Sequence, residues 1–409
     1  MHKQHALKLL SFLVLACAVA GCGGGTSVRT GPVSGDRWTV LIYMAADNDL
    51  EQYAIQDINE MEMVGSTEQT AVVVQIDRSP GYDRSNGDWE TTRRYYILRD
   101  TTTSTINSQL IADLGELDMA AAETLADFVS WGTQTYPADH YLLVLWDHGR
   151  GWRTRTLSLA ALDQPVKAIH TDDTDRSEMS LSALSQALQS GPRMDVILFD
   201  ACLMGMLEVA YSIKDYADFM AASEDNIPAQ GQPYHRLLQT MAMNAGLSPY
   251  ALSRTIVDQY MAYYSPNYTA TLTFSAIDLG RLNDVVTATD GFAQAMLNNL
   301  DLARSGIRAA QQQTQYYDAD KGYYSHYKDL YDFARLVNSS VGLPDVQSAA
   351  QTLMTSINDS VVYQRNNGGK VAHSHGISIY LPDPGSMLAQ YNVLAFSQDT
   401  LWNEFLAAY

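Results

Sequence analysis

Cysteine is scarce in this 409-residue chain: three residues cannot make a disulfide framework, and no Cys-x-x-Cys pair or compact Cys/His cluster marks a zinc site. Positive charge is scarce too, with 26 Lys and Arg against 46 Asp and Glu and a net charge of −20. So acidic a chain repels nucleic acid and anionic headgroups, which sets phosphate-tracking functions aside; solubility is its blander consequence. No fixed-period repeat suggests a solenoid or propeller. No apolar run reaches the about 20 residues of a membrane-spanning helix. No Gly-rich phosphate loop or G-x-S-x-G elbow follows a strand-like segment. What is present is 46% apolar residues over a length that suits two domains or one large α/β unit.

At the N-terminus, Lys3 and Lys8 precede Leu9 to Ala20, an apolar or small run too short to span a bilayer and suited to a secretory signal peptide. It ends in Val19-Ala20-Gly21-Cys22, which resembles a bacterial lipobox, the pattern cut before a cysteine that is then lipidated. Ordinary signal cleavage nearby is the alternative. On the lipobox reading residues 1–21 are removed with Cys17, Cys22 carries the lipid, and 22–37, rich in Gly, Ser and Thr, form a flexible tether. Attachment is then by lipid alone, at about 0.8 kcal/mol per buried methylene. This predicts an exported, lipid-anchored protein of the bacterial cell envelope, with the outer membrane as one location.

From Trp38 onward, short β-branched runs alternate with helical patterns, as in a mainly parallel sheet with helices on both faces. Strands are predicted at Thr39 to Ala45, Ala71 to Asp77, Tyr95 to Leu98, Tyr141 to Trp146, Val196 to Phe199, Phe219 to Ala222, Leu272 to Ile277 and Ile377 to Tyr380. Helices are predicted at Leu50 to Val64, Met119 to Trp131, Leu181 to Leu188, Leu203 to Tyr216, Tyr234 to Met243 and Leu252 to Tyr263, the first capped by Asp47, Asn48 or Asp49. Arg78 to Glu90 and Arg150 to Met179 read as loops.

In open α/β sheets, functional groups collect beyond the carboxyl ends of the strands. Here YLLVLW runs into Asp147-His148-Gly149-Arg150-Gly151-Trp152, and DVILF into Asp200-Ala201-Cys202-Leu203-Met204-Gly205. The 54 positions between His148 and Cys202 allow a crossover that returns the chain to the same sheet edge. A thiol there is activated by a helix N-terminus and a neighbouring imidazole, and Cys202 is expected to have the first and His148 to supply the second. His148 could then protonate a leaving amine, and the N–H of Gly149 could join that of Cys202 in an oxyanion hole. A buried structural cysteine and a turn histidine are the competing explanation.

The two segments YLLVLWDHGRGW and DVILFDACLMGMLEVAY closely resemble the signatures of clostripain-like cysteine peptidases, in the clan that also holds caspases, legumains and gingipains. WTVLIYMAADNDLE, AASEDNIPAQGQPY and GISIYLP resemble the family as well, so the likeness runs from about Trp38 to Tyr380. It implies a single caspase-like α/β domain over 38–409 with extra C-terminal helices, and endopeptidase action on proteins or peptides with Cys202 as nucleophile, His148 as acid/base partner and Gly149 at the oxyanion site. Relatives favour Arg or Lys on the acyl side of the cut; Asp200, Glu224 and Asp225 are the candidate acidic pocket residues here. An Asp at Asp200 could equally cap a helix, and Gln230-Gly231-Gln232-Pro233-Tyr234 departs from the family's acidic-aromatic pattern.

Relatives are often clipped after the catalytic histidine, which makes Arg153, Arg155, Lys167 and Arg176 candidate self-cleavage sites. Some also use calcium, for which Asp172, Asp173 and Asp175 offer oxygens but no EF-hand pattern; no other metal or cofactor is expected. His373 and His375 share one face of an extended segment and suit a pocket rim better than a metal. The tyrosines at Tyr263, Tyr264, Tyr316, Tyr317, Tyr323, Tyr324 and Tyr327 suit either a core edge or a binding surface. The rival to the peptidase is a catalytically silent cell-surface protein that binds peptide or glycan on the same fold.

Overall fold

The computed structural model describes residues 37–153, 169–244, 246–318 and 324–409. The signal run, Cys17, Cys22, the tether as far as Asp36, Arg155, Lys167 and Tyr323 lie outside them. In chain order the elements begin with β1 (Trp38–Ala46), α1 (Glu51–Glu62), β2 (Thr70–Arg78), β3 (Arg93–Tyr96), β4 (Gln109–Asp113) and α2 (Ala122–Thr135). Next come β5 (His140–Trp146), β6 (Ile169–Asp172), β7 (Ser177–Met179), α3 (Leu181–Gln189), β8 (Met194–Asp200), α4 (Leu207–Ile213) and β9 (Ala217–Ala222). The rest are α5 (Tyr234–Met243), α6 (Pro249–Tyr264), β10 (Thr273–Asp278), α7 (Leu282–Asn298), α8 (Leu300–Gln313), β11 (Tyr327–Asp329), α9 (Leu330–Ser340), α10 (Pro344–Ser360), β12 (Val361–Asn366), β13 (Ser378–Tyr380), α11 (Ala395–Asp399) and α12 (Trp402–Ala408).

Nine strands form one sheet in the order β12-β10-β9-β8-β5-β1-β2-β3-β4. The central five, β9 to β2, are mutually parallel, and the flanking strands on each side pair antiparallel with their neighbours. Side chains alternate across a strand, so a sheet buried on both sides needs apolar residues at every position. β1 meets that need: Leu41, Tyr43 and Ala45 pack with α2, α3 and the C-terminal helices, while Val40, Ile42 and Met44 pack with α1, α5 and α6. Among the described residues no helix is long and apolar enough to cross a membrane.

Several expectations are corrected. The helix expected over Leu203 to Tyr216 is only α4, because Leu203 takes a left-handed φ of +63° and donates its N–H to the Asp225 carbonyl, turning the chain away from helix. Gly205 follows so close to β9 that a Cβ there would lie 2.8 Å from the Glu224 nitrogen. No helix N-terminus therefore stands directly behind Cys202. Leu50, not an Asp or Asn, is the N-cap of α1, without a side-chain cap bond. Residues 377–380 do not join the main sheet: β13 pairs antiparallel with β11. Ser378 also donates its N–H to the Gly205 carbonyl at 2.8 Å, and Tyr380 donates its N–H to the Glu208 carboxyl at 2.8 Å, which docks this late segment on the turn after Cys202. The stretch expected as one loop over Arg150 to Met179 contains the β6–β7 hairpin.

Candidate active site

Every parallel strand from β2 to β8 runs into an aspartate at its carboxyl end: Asp77 within β2, Asp47 after β1, Asp147 after β5 and Asp200 closing β8. All four are buried. Trp146 pairs with Asp200, and the Asp147 N–H donates to the Asp200 carbonyl at 3.3 Å, so the β5 and β8 exits leave the sheet together. Gly149 then lies against the Cys202 backbone: an added Cβ would stand 2.2 Å from the Cys202 carbonyl oxygen and 2.9 Å from its nitrogen. Only a residue without Cβ permits this approach. The structure thus brings His148, Gly149 and Cys202 to adjoining strand ends.

Cys202 is half-buried, and the Ile227 N–H donates to its Sγ at 3.4 Å, a contact complementary to negative charge on sulfur. The sequence offered no sign of this donor. His148 is about one-third exposed, with its Nε2 2.8 Å from Asp49 Oδ1, so the nitrogen not engaged by Asp49 is Nδ1. Asp147 fixes the histidine's backbone by accepting from its N–H, from the Asn48 amide at 2.9 Å and from the Thr171 N–H. Burial pushes the Asp147 carboxyl up from the ordinary range, against the pull of these donors and Arg150.

The three candidate pocket acids differ in surroundings. Asp200 Oδ2 accepts from the Gln232 N–H at 3.0 Å and the Tyr234 hydroxyl at 2.8 Å, and Gly231 lies close enough that a Cβ would meet this oxygen at 2.6 Å. Its Oδ1 has no partner, and neither have the Gln232 amide atoms nor the Tyr260 hydroxyl, all buried. Burial pushes Asp200 up to about 6, Glu60 adding to the rise. Glu224 is turned toward the C-terminal segment, accepting from the Tyr317 hydroxyl at 2.7 Å and the Gly376 N–H at 3.1 Å. Asp225 accepts from the Asn226 and Asp318 N–H groups and from the Thr271 hydroxyl, which occupies both its oxygens.

Other sequence candidates resolve plainly. His375 stacks on Tyr331 and its Nδ1 lies 3.2 Å from Asp329, a carboxylate that sequence spacing did not reveal. Tyr264, Tyr317 and Tyr327 are core residues, and Tyr316 is exposed. The Arg153 guanidinium lies over the Tyr324 ring, and Arg176 sits in the β6–β7 turn with φ +55°. An open groove of about 780 Å³ between α7 and α10, lined in part by Asp284, Ser348 and Thr352, holds none of these groups. Of the calcium candidates, Asp172 gathers with Asp47, Asp77 and Glu116, while Asp173 instead accepts from the Tyr82 hydroxyl. Burial and the neighbouring carboxylates push Asp77 up to about 8, Glu116 to about 7 and Asp172 to about 6.

A mainly parallel sheet covered on both faces, with a histidine and a thiol at adjoining strand ends, is the architecture of the caspase-like cysteine peptidases. The sequence pattern of the Clostripain family, peptidase C11, matches residues 42–409, and the chain belongs to that family of cysteine proteases. It is similar to clostripain of Hathewaya histolytica, with 24% identity over 407 residues that cover 86% of this chain and 76% of clostripain. In fold it is similar to a secreted C11 cysteine protease of Bacteroides thetaiotaomicron, solved with an irreversible peptide inhibitor, at a TM-score of 0.67, 21% identity and coverage of 90% of this chain and 99% of the other. An inactive zymogen C11 protease of Parabacteroides distasonis is alike to the same degree, with a TM-score of 0.67, 22% identity and the same coverage of both chains.

Proposed function

We propose that this cysteine protease is an exported, lipid-anchored endopeptidase that cuts after Arg or Lys, with Cys202 as nucleophile, His148 as acid/base partner and Cys22 as the lipid-bearing residue. The observation that carries the reading is the contact of Gly149 with the Cys202 backbone, which sets the histidine-bearing strand end against the thiol. The Cys202 thiolate attacks the scissile carbonyl carbon, and the oxyanion is received by N–H groups of the Gly149–Cys202 region. His148, held through Nε2 by Asp49, delivers a proton to the leaving amine and then takes one from the water that hydrolyses the thioester.

Asp200 favours a basic side chain on the acyl side. Its unpartnered Oδ1, with the Gln232 amide and Tyr260 hydroxyl, is a buried acceptor set that a guanidinium or ammonium would complete. The hydrogen bonds from the Gln232 N–H and the Tyr234 hydroxyl hold this carboxylate, so the segment that departs from the family pattern still serves it.

Turnover of fluorogenic peptides ending in Arg or Lys tests the reading. Cys202→Ala is expected to lower kcat by about 10⁴-fold or more without lowering the melting temperature. A peptidyl electrophile should label Cys202, and His148→Ala should block that labelling. Unchanged turnover in Cys202→Ala sinks the assignment of the nucleophile, and absence of both turnover and labelling in the unaltered chain favours the silent binding protein.

A further inference from the structure

We propose that Asp57 is a second carboxyl group of the Asp200 pocket, and that it gives up a proton when a basic side chain enters. This role rests on Asp200 being the pocket acid, and it brings helix α1 into the site. On β5 and β8 the even-numbered side chains Val144, Trp146, Val196 and Leu198 pack with α1, α5 and α6, so Asp200 leaves the sheet on that same face. Trp146 and Asp200 are register partners on these neighbouring strands. The Trp146 indole N–H donates to Asp57 Oδ2 at 2.7 Å, and the Tyr234 hydroxyl donates to Asp200 Oδ2 at 2.8 Å. Both acids are thereby held over one face at the carboxyl ends of β5 and β8, and both are buried.

Two buried carboxyls one strand apart need a counter-charge, and their protein surroundings supply none. The titratable groups that act on Asp57 or share its electrostatic neighbourhood are Asp200 on β8, Glu60 on its own helix, Tyr234 on α5 and Tyr264 on α6. Glu60 is engaged by His235 Nδ1 at 2.9 Å, and Arg236 lies over the Tyr263 ring. Among the described residues no Lys or Arg pairs with Asp57, Glu60 or Asp200. Without a bound cation the counter-charge is a proton. The donors decide which acid holds it. Asp200 accepts from a backbone N–H and a hydroxyl, both of which favour the anion, whereas Asp57 accepts from the indole N–H. Asp57 is accordingly pushed well above the ordinary carboxylate range, by burial first and then by the Asp200 charge, while Asp200 rises only to about 6. The two titrate as a pair, with Asp57 the protonated member at neutral pH.

A guanidinium or ammonium that completes the set of Asp200 Oδ1, the Gln232 amide and the Tyr260 hydroxyl changes this balance. Its charge reaches Asp57 as the Asp200 charge does, with the opposite sign, and makes the second ionisation favourable. The O–H bond of Asp57 breaks, its electron pair stays on the carboxylate, and the proton goes to solvent. Glu60, three residues along the same helix face and in contact with the partly exposed His235, marks the way out. The pocket then sets two anions against one cation. A basic side chain is therefore held more tightly as pH rises through the neutral range, and a neutral side chain of the same length gains nothing.

The test is calorimetric titration of the full chain carrying Cys202→Ala, which binds peptide without cutting it, in two neutral buffers of different ionisation enthalpy. The probe peptides end in arginine or in citrulline, its neutral isostere. The arginine peptide should release about one proton per site and bind about tenfold tighter per pH unit, whereas the citrulline peptide should release almost none. Adding Asp57→Asn, which keeps an acceptor for the Trp146 indole, should cut the release to below about 0.2 proton and flatten the pH dependence. Release near zero from the arginine peptide with Asp57 intact overturns the proposal whether or not the variant folds, as does equal release with Asp57→Asn. An arginine peptide that binds no tighter than the citrulline peptide overturns the reading of Asp200 and this role with it. A preference for arginine without Asp57-dependent release overturns this role alone.

Discussion

Asp147 and Asp200 close one stretch of the sheet edge and Asp47 and Asp77 the next, all four on adjacent parallel strands and all buried, yet they are treated differently. At β5 and β8 each carboxylate is a hub: Asp147 accepts from Asn48, His148 and Thr171, and Asp200 from Gln232 and Tyr234. At β1 and β2 each has a single donor and faces two further acids, and Asp77 is pushed up to about 8. Topology puts carboxylates along the edge; the donors around them decide whether one organises a loop or is left crowded against other acids.

The largest effect that sharpens this contrast is expected from glycines. Gly149→Ala drives a methyl into the Cys202 carbonyl and should cost about 1–3 kcal/mol of stability and at least about a hundredfold in kcat/KM. Gly115→Ala, beside the acidic cluster, meets open space and should cost only the roughly 1–2 kcal/mol of its left-handed φ of +74°, with activity kept. Denaturant unfolding and steady-state kinetics read both, and equal losses of activity would erase the distinction.

Next in size are two isosteric changes of opposite sign. Asp147→Asn removes an acceptor from converging donors and should destabilise by about 1–3 kcal/mol. Asp77→Asn removes a carboxyl that burial pushes up to about 8, so that folding at pH 7 no longer has to bind a proton there, and should stabilise by about 1 kcal/mol. Unfolding curves that shift the same way for both would break the comparison.

A last contrast isolates burial from crowding. Glu208 on α4 lies away from the acidic cluster, accepts from the Tyr380 N–H and the Tyr391 hydroxyl, and is pushed up to about 7 by burial. An unfolded glutamate loses its proton near the ordinary value of about 4.3. Between these limits the folded chain holds a proton that the unfolded chain lacks. Its contribution to stability should therefore fall as pH rises from about 4 to 7, at up to about 1.4 kcal/mol per unit. Glu208→Gln should flatten that part of the pH–stability curve; an unchanged slope would assign it to other groups.

The sequence spelled out the strands that build the scaffold, because β1, β2, β5, β8 and β9 are apolar on both faces and β-branched runs leave little choice. Helix α5 has the bounds that its periodicity marks. After Cys202, LMGMLEVAY carries helical spacing, but the contacts of Leu203 and Gly205 with the chain just past β9 override it; such contacts are invisible locally. Short strands such as β7 and β11 are too brief for a two-residue period to register. The gathering of Asp47 with Asp77 depends on register, Ala45 opposite Asp77, which no single segment contains. Yet the strand-end rule that drew attention to Asp147 and Asp200 applies equally to Asp47 and Asp77.

The clasp of Ser378 on the Gly205 carbonyl sets an order of manufacture. Gly205 is made midway along the 409-residue chain and Ser378 near its end. From the moment Gly205 is made until Ser378 is made, the turn that carries Cys202 lacks the segment that later holds it. The setting of Cys202 is thus completed among the last parts of the molecule, and a nascent or truncated chain carries the residue without it.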